Sequence, residues 1–144
     1  MKLHTASEVI SLARELENKS AKFYQDLSQK YAKDADVFLS FAKENEKNIV
    51  QFERAYYGVI TDALEGCFAF DLETDIYTFE AELAENVDVS DALKKAIEIE
   101  EKMTKFYFEA AEQSKSLMAD VPRVFTIIAK KRGGRQSKLK SLLG

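Results

Sequence analysis

The sequence predicts an all-α fold, an antiparallel four-helix bundle built from two similar helical hairpins joined by a long crossover. Three observations carry that expectation. A single Pro, five Gly and few β-branched runs in 144 residues leave little to interrupt helix. Apolar residues recur at a spacing of about 3.6 through four long segments. The second half of the chain also restates the first: residues 12–24, LARELENKSAKFY, and 95–107, KAIEIEEKMTKFY, share the pattern Glu-x5-Phe-Tyr.

The first helix opens at a capping box from Thr5 to Glu8 and runs to about Tyr31, with Ala13, Leu16, Ser20, Phe23, Tyr24 and Leu27 on one stripe. After the short YAKDAD connection, Asp34 or Asp36 caps the second helix. It carries Phe38, Phe41, Ala42, Ile49, Phe52 and Tyr56 inward and ends near Gly58. Residues 58–90 read as the crossover, with short helical pieces and the apolar or small residues Gly66, Cys67, Phe68, Phe70, Tyr77 and Phe79. Ser90 is expected to cap the third helix, which runs to about Gln113 with Ala96, Ile99, Met103, Phe106, Tyr107 and Ala110 inward. Asp120 and Pro122 mark the first turn of the fourth. The duplication reaches the even-numbered helices too: Val37, Phe38, Ala42, Lys43 and Phe52 correspond to Val124, Phe125, Ala129, Lys130 and Leu139. Two hairpins related by an approximate twofold bring equivalent positions together near the bundle centre.

This length suits one domain, residues 1–144, with a single sizeable core. No apolar run approaches a membrane span and the start MKLHTASEV lacks a signal-peptide core, so a soluble, cytoplasmic protein is expected. The one cysteine, Cys67, excludes an internal disulfide and any four-cysteine metal site, and in GCFAF it reads as a small apolar filler. Charge is unevenly spread. From Val121 onward there are seven basic residues and no acidic one, whereas residues 62–101 hold thirteen acids against two lysines.

At helical spacing Glu17 and Glu100 fall on the apolar stripes and face inward. A carboxylate in an apolar interior is strongly disfavoured unless it is paired or bound to a metal. With its doubled Glu-x5-Phe-Tyr the chain resembles the rubrerythrin-like branch of the ferritin-like superfamily over nearly its whole length. In that family the second and fourth helices carry Phe-x-x-Ile/Leu-Ala-x-x-Glu-x-x-His. Four glutamates and two histidines then bind two iron ions for peroxide reduction or iron oxidation. The resemblance implies that Glu17 and Glu100 stand at ligand positions.

The other four positions depart from the pattern. Phe38-x-x-Phe41-Ala42 places Asn45 and Asn48 where the second helix needs its glutamate and histidine, and both are poor iron ligands. Phe125-x-x-Ile128-Ala129 places Arg132 and Arg135 there in the fourth, and a guanidinium has no lone pair to offer a metal. The single histidine, His4, lies outside any Glu-x-x-His, and the four cysteines of a rubredoxin-like module are missing. Arg132, with Arg135, is therefore expected to replace the metal charge by pairing with Glu17 and Glu100, Asn45 and Asn48 filling the remaining hydrogen bonds. The competing expectation is a helix broken at Gly133-Gly134, which would turn both arginines to solvent.

Three functions follow as expectations. The first is a rubrerythrin-like bundle without its diiron centre and without a cofactor, serving as a non-enzymatic interaction or scaffold protein, a homodimer with a further protein partner and no membrane. The second is an iron-binding diiron oxidoreductase using substituted ligands, for which Glu44, Glu46, Glu53, Glu98 and Glu101 are the nearby carboxylates; their spacing reads as a solvated face. The third is an anion or nucleic-acid binder through KKRGGRQSKLK, residues 130–140, which lacks interleaved aromatics and reads better as a solvated helix end. This basic surface could also meet the acidic crossover of another subunit, in an association that weakens with salt. His4 reads as a surface residue, and Tyr24 and Tyr107 as core residues whose hydroxyls reach the central carboxylates.

Overall fold

A computed structural model describes residues 1–60, 69–115 and 120–144. Among them the chain is all-helical apart from one minimal sheet. The elements are β1 (Lys2–Leu3), α1 (Ala6–Lys30), α2 (Ala35–Val59), β2 (Leu72–Glu73), α3 (Thr74–Tyr77), α4 (Val89–Ser114) and α5 (Val121–Leu143). Gly66, Cys67 and Phe68 lie outside the described residues. No helix among the described residues is long and apolar enough to cross a membrane.

The helix ends follow local chemistry. Thr5 accepts a hydrogen bond from the Glu8 amide while the Glu8 carboxylate accepts from the Thr5 amide, a complete capping box for α1. Asp34 occupies the N-cap of α2 without a side-chain bond, and Asp36 lies in the first turn, where its charge meets the positive end of the helix dipole. The expectation for the third long helix needs correction. Asp88, not Ser90, is the N-cap of α4 and accepts from the Asp91 amide at 2.8 Å; Ser90 lies inside the first turn. Pro122 sits in the first turn of α5, where its missing N–H leaves no helix bond unmade.

Antiparallel pairing runs around the whole bundle. Tyr24 stacks near Phe38 while Arg14 reaches Glu53, so α1 and α2 run in opposite directions. Tyr107 meets Phe125 and Arg132 meets Glu100, which sets α4 against α5 in the same way. Phe52 against Phe125 and Arg135 against Phe41 join α2 to α5. The stripes pack into one core that includes Leu16, Phe23, Tyr24, Phe38, Phe52, Ile99, Phe106, Tyr107 and Phe125. Phe41 and Ile49, on the same stripe of α2, are half-buried and pack against its edge.

Helix α5 continues through Gly133 and Gly134, which removes the expectation of a break there. Two glycines in a helix interior cost about 2 kcal/mol relative to alanine. On either side of them the inner face of the helix is tied down by the bonds of Arg132 to Glu17 and Glu100, by that of Arg135 to the Phe41 carbonyl, and by the buried Leu139. The described part of the crossover adds a strand to the helical pieces expected there: β2 pairs antiparallel with β1, Lys2 opposite Glu73 and Leu3 opposite Leu72. Beyond α3, lysines from both flanking helices hold the chain by its carbonyls. Lys19 and Lys102 donate to Phe79 and Thr78, and Lys30 and Lys95 donate to Glu85 and Glu82.

Candidate functional site

Each long helix contributes a polar residue to one closed centre: Glu17 from α1, Asn45 and Asn48 from α2, Glu100 from α4, Arg132 and Arg135 from α5. All six are buried, none more than 2% exposed. They belong there because each occupies an inward position of its helix, so the 3.6-residue period that buries Leu16 and Ile99 also buries the neighbouring carboxylates.

Arg132 lies between the two glutamates. Its Nη1 is 3.0 and 2.9 Å from the two carboxylate oxygens of Glu100 and also donates to Ser20 Oγ at 3.2 Å. Its Nη2 donates to Glu17 Oε2 and, at 3.2 Å, to Asn45 Oδ1. The glutamates are held from outside by a reciprocal pair of tyrosines. Tyr24 of α1 donates to Glu100 at 2.6 Å, and Tyr107 of α4 donates to Glu17 at 2.7 Å. Asn48 donates to Glu17 Oε1 at 3.3 Å, and Asn45 donates to the Glu17 backbone carbonyl at 2.9 Å.

Arg135 sits at the margin rather than between the carboxylates. Its Nη2 donates to the Phe41 carbonyl at 2.8 Å and to Glu44 at 3.3 Å, while Nη1 is 3.7 Å from Glu100. Its guanidinium also lies 4.8 Å from the Phe41 ring centre and 5.5 Å from that of Tyr24. The centre is not fully satisfied. Asn48 Oδ1, Arg132 Nε and both Nε and Nη1 of Arg135 are buried without a hydrogen-bond partner among the described residues.

Electrostatics follow from burial and from Arg132. Burial pushes the Glu17 carboxyl up, opposed by Arg132, the Tyr107 hydrogen bond and Arg135. Burial opposes the charge on Arg132, yet Glu100 and Glu17 outweigh it and raise its pKa, so this guanidinium is permanently charged. Arg135 is lowered, first by burial and then by the neighbouring Arg132. Burial and the adjacent carboxylates, Glu100 and Glu17 respectively, lift the Tyr24 and Tyr107 phenols well above their usual range, so both remain protonated donors.

The donor set does not fit a pair of iron ions. A guanidinium fills the space between Glu17 and Glu100, the only two buried carboxylates among the described residues, and the remaining inward partners are amides, phenols, the Ser20 hydroxyl and a second guanidinium, Arg135. Among the described residues no group of three or more His, Cys, Asp or Glu side chains is placed to hold a metal. His4 lies away from the centre, half-buried before α1, with Nδ1 3.3 Å from the Phe70 carbonyl. Glu46, Glu98 and Glu101 are exposed, and Glu53 is engaged by Arg14 at 2.6 Å. Glu44 alone of that group reaches the centre, through Arg135. Five surface cavities among the described residues, 250 to 430 Å³ in volume, take none of their lining from Glu17, Glu100, Arg132 or Arg135.

Two participants were not singled out from sequence. Ser20 supplies an acceptor to Arg132, and Gln136 bridges the Glu100 carbonyl at 3.5 Å and Thr104 at 3.0 Å. Ser20 was legible in principle, as a polar residue on an otherwise apolar stripe. Gln136 carried no such signal. No family model, curated protein or solved structure matches the chain.

Proposed function

We propose that this protein is a non-enzymatic interaction or scaffold bundle, homodimeric, of rubrerythrin-like ferritin-type architecture, in which an internal ion-pair network has replaced a diiron centre. The observation that carries the reading is Arg132, bonded at once to Glu17 and Glu100 where a metal-binding relative would need a cation. Asn45, Asn48, Arg132 and Arg135 stand at the four positions that depart from the Glu-x-x-His pattern, and Tyr24 and Tyr107 close the centre from outside. Catalysis has little to work with there. Both carboxylates are engaged, both tyrosines hold their protons, and all four side chains are fully buried. What remains available to partners is the surface.

Metal analysis of protein produced with iron supplementation, read together with its near-ultraviolet spectrum, tests the reading. Substoichiometric iron and no oxo-bridge absorption are expected. Two irons per chain with that absorption would establish the diiron oxidoreductase instead.

A further inference from the structure

The outer face of α5 carries lysines, and the strap that follows α3 carries glutamates, whose charged ends form no ion pair among the described residues. Lys130, Lys138 and Lys140 are exposed, Lys131 is half-buried, and none of the four forms an ion pair among the described residues. Glu80, Glu82 and Glu85 of the strap are likewise exposed and unpaired. The lysines that hold the strap, Lys19, Lys30, Lys95 and Lys102, donate to its backbone carbonyls rather than to these carboxylates.

The α5 face also lacks side chains where it has no internal reason to. A Cβ added at Gly133 or Gly134 would meet nothing within 4 Å, and neither residue has a positive φ. Packing among the described residues therefore does not require glycine, although each costs the helix stability. Between Lys130 and Lys138 the result is a bare stretch of backbone that another surface can approach closely.

The two charged surfaces lie toward the same end of the bundle. Pairing of Phe125 with Tyr107 and of Arg132 with Glu100 runs the last turns of α5 toward the start of α4. Lys95, in those first turns of α4, ties down Glu82. A twofold arrangement can therefore seat each copy's α5 against the other's strap, so that both contacts form in one closed dimer.

We infer that the partner of this face is a second copy of the chain, with Lys130, Lys138 and Lys140 around the Gly133-Gly134 stretch docking on Glu80, Glu82 and Glu85 of the other copy's strap. This deepens the interaction reading above by naming its surface and partner. Metal content tests the loss of the diiron centre, and self-association tests this surface, so the two can fail separately.

The experiment is sedimentation equilibrium of the full chain at low salt and at about 1 M NaCl, where charges are screened beyond about 3 Å. It is repeated on Lys138→Glu/Lys140→Glu, on Glu82→Lys/Glu85→Lys and on their equimolar mixture, with circular dichroism confirming the fold of each. The native dimer should loosen with salt and each reversed variant should dissociate by on the order of tenfold more, a difference of about 1.4 kcal/mol. The mixture should recover a dimer, because reversal on both sides restores every pair. A monomer at low salt, a dimer indifferent to salt and to both reversals, or a mixture no tighter than its components would overturn the assignment. Salt-sensitive capture of DNA by the same lysines without self-association would overturn it as well.

Discussion

Tyr24 and Glu100, 76 residues apart in sequence, meet in the core through a 2.6 Å hydrogen bond, and Tyr107 repeats the contact on Glu17 from the opposite helix. The duplicated Glu-x5-Phe-Tyr pattern thus yields a crossed pair: each tyrosine serves the glutamate of the other repeat. The motif's spacing has a structural purpose here independent of any metal, since it sets a phenol one helix away from each buried carboxylate.

Tyr24→Phe and Tyr107→Phe each remove one donor to a buried carboxylate while keeping the ring. Each should destabilise the protein by about 1.5–3 kcal/mol, the range for hydrogen bonds to charged groups. Because both tyrosines act on glutamates bonded to Arg132, the double variant should depart from additivity. Urea unfolding of the two single variants and the double measures this.

Arg132→Met should cost about 3–5 kcal/mol at neutral pH, since it leaves two carboxylates buried without their cation. The pH dependence has a definite sign. Burial raises the Glu17 carboxyl from its ordinary 4.5, so its stabilising contribution is present below that value and is lost as pH rises above it. Arg132 is the largest influence opposing that rise, so its removal should make stability fall more steeply from about pH 4.5 toward neutrality. Thermal unfolding across that range, native against variant, reads the slope directly.

Gly133→Ala and Gly134→Ala should each stabilise an isolated chain by about 0.4–1 kcal/mol, because the added methyl meets nothing and the unfolded chain loses freedom. The same substitutions should weaken self-association if α5 is approached closely by a second copy. Denaturation at low protein concentration, beside sedimentation of the same samples, separates the two effects.

Asp88→Ala should cost about 1 kcal/mol through loss of the α4 N-cap, whereas Ser90→Ala should change little. Chemical denaturation of the pair discriminates the cap found in the fold from the one expected in the sequence.

Those two residues also show where the sequence ceased to be legible. Asp88 and Ser90 are both good caps, and choosing between them needs the backbone entry angle, which tertiary packing sets. The charged centre was legible because Glu17, Glu100 and Arg132 all stand on stripes that otherwise hold Leu16, Ile99 and Phe125. Continuity of α5 through Gly133-Gly134 was not, since local propensity argues for a break and the tertiary bonds of Arg132 and Arg135 on either side are not visible in the sequence. The two-residue strands β1 and β2 are too short to leave a periodic trace. Arg135 was placed with the carboxylates by spacing alone. Its contact with Phe41 and Glu44 depends on how α2 and α5 cross.

The central claim is that Arg132 is the counter-cation of the buried glutamates, and a double-mutant cycle between Glu100 and Arg132 tests it most directly. Unfolding free energies of native protein, Glu100→Gln, Arg132→Met and the double variant give the coupling. A favourable coupling of about 1.5 kcal/mol or more, as found for close buried charge pairs, is the expected result. Losses that add to within about 0.5 kcal/mol, as for residues that do not touch, would contradict the claim.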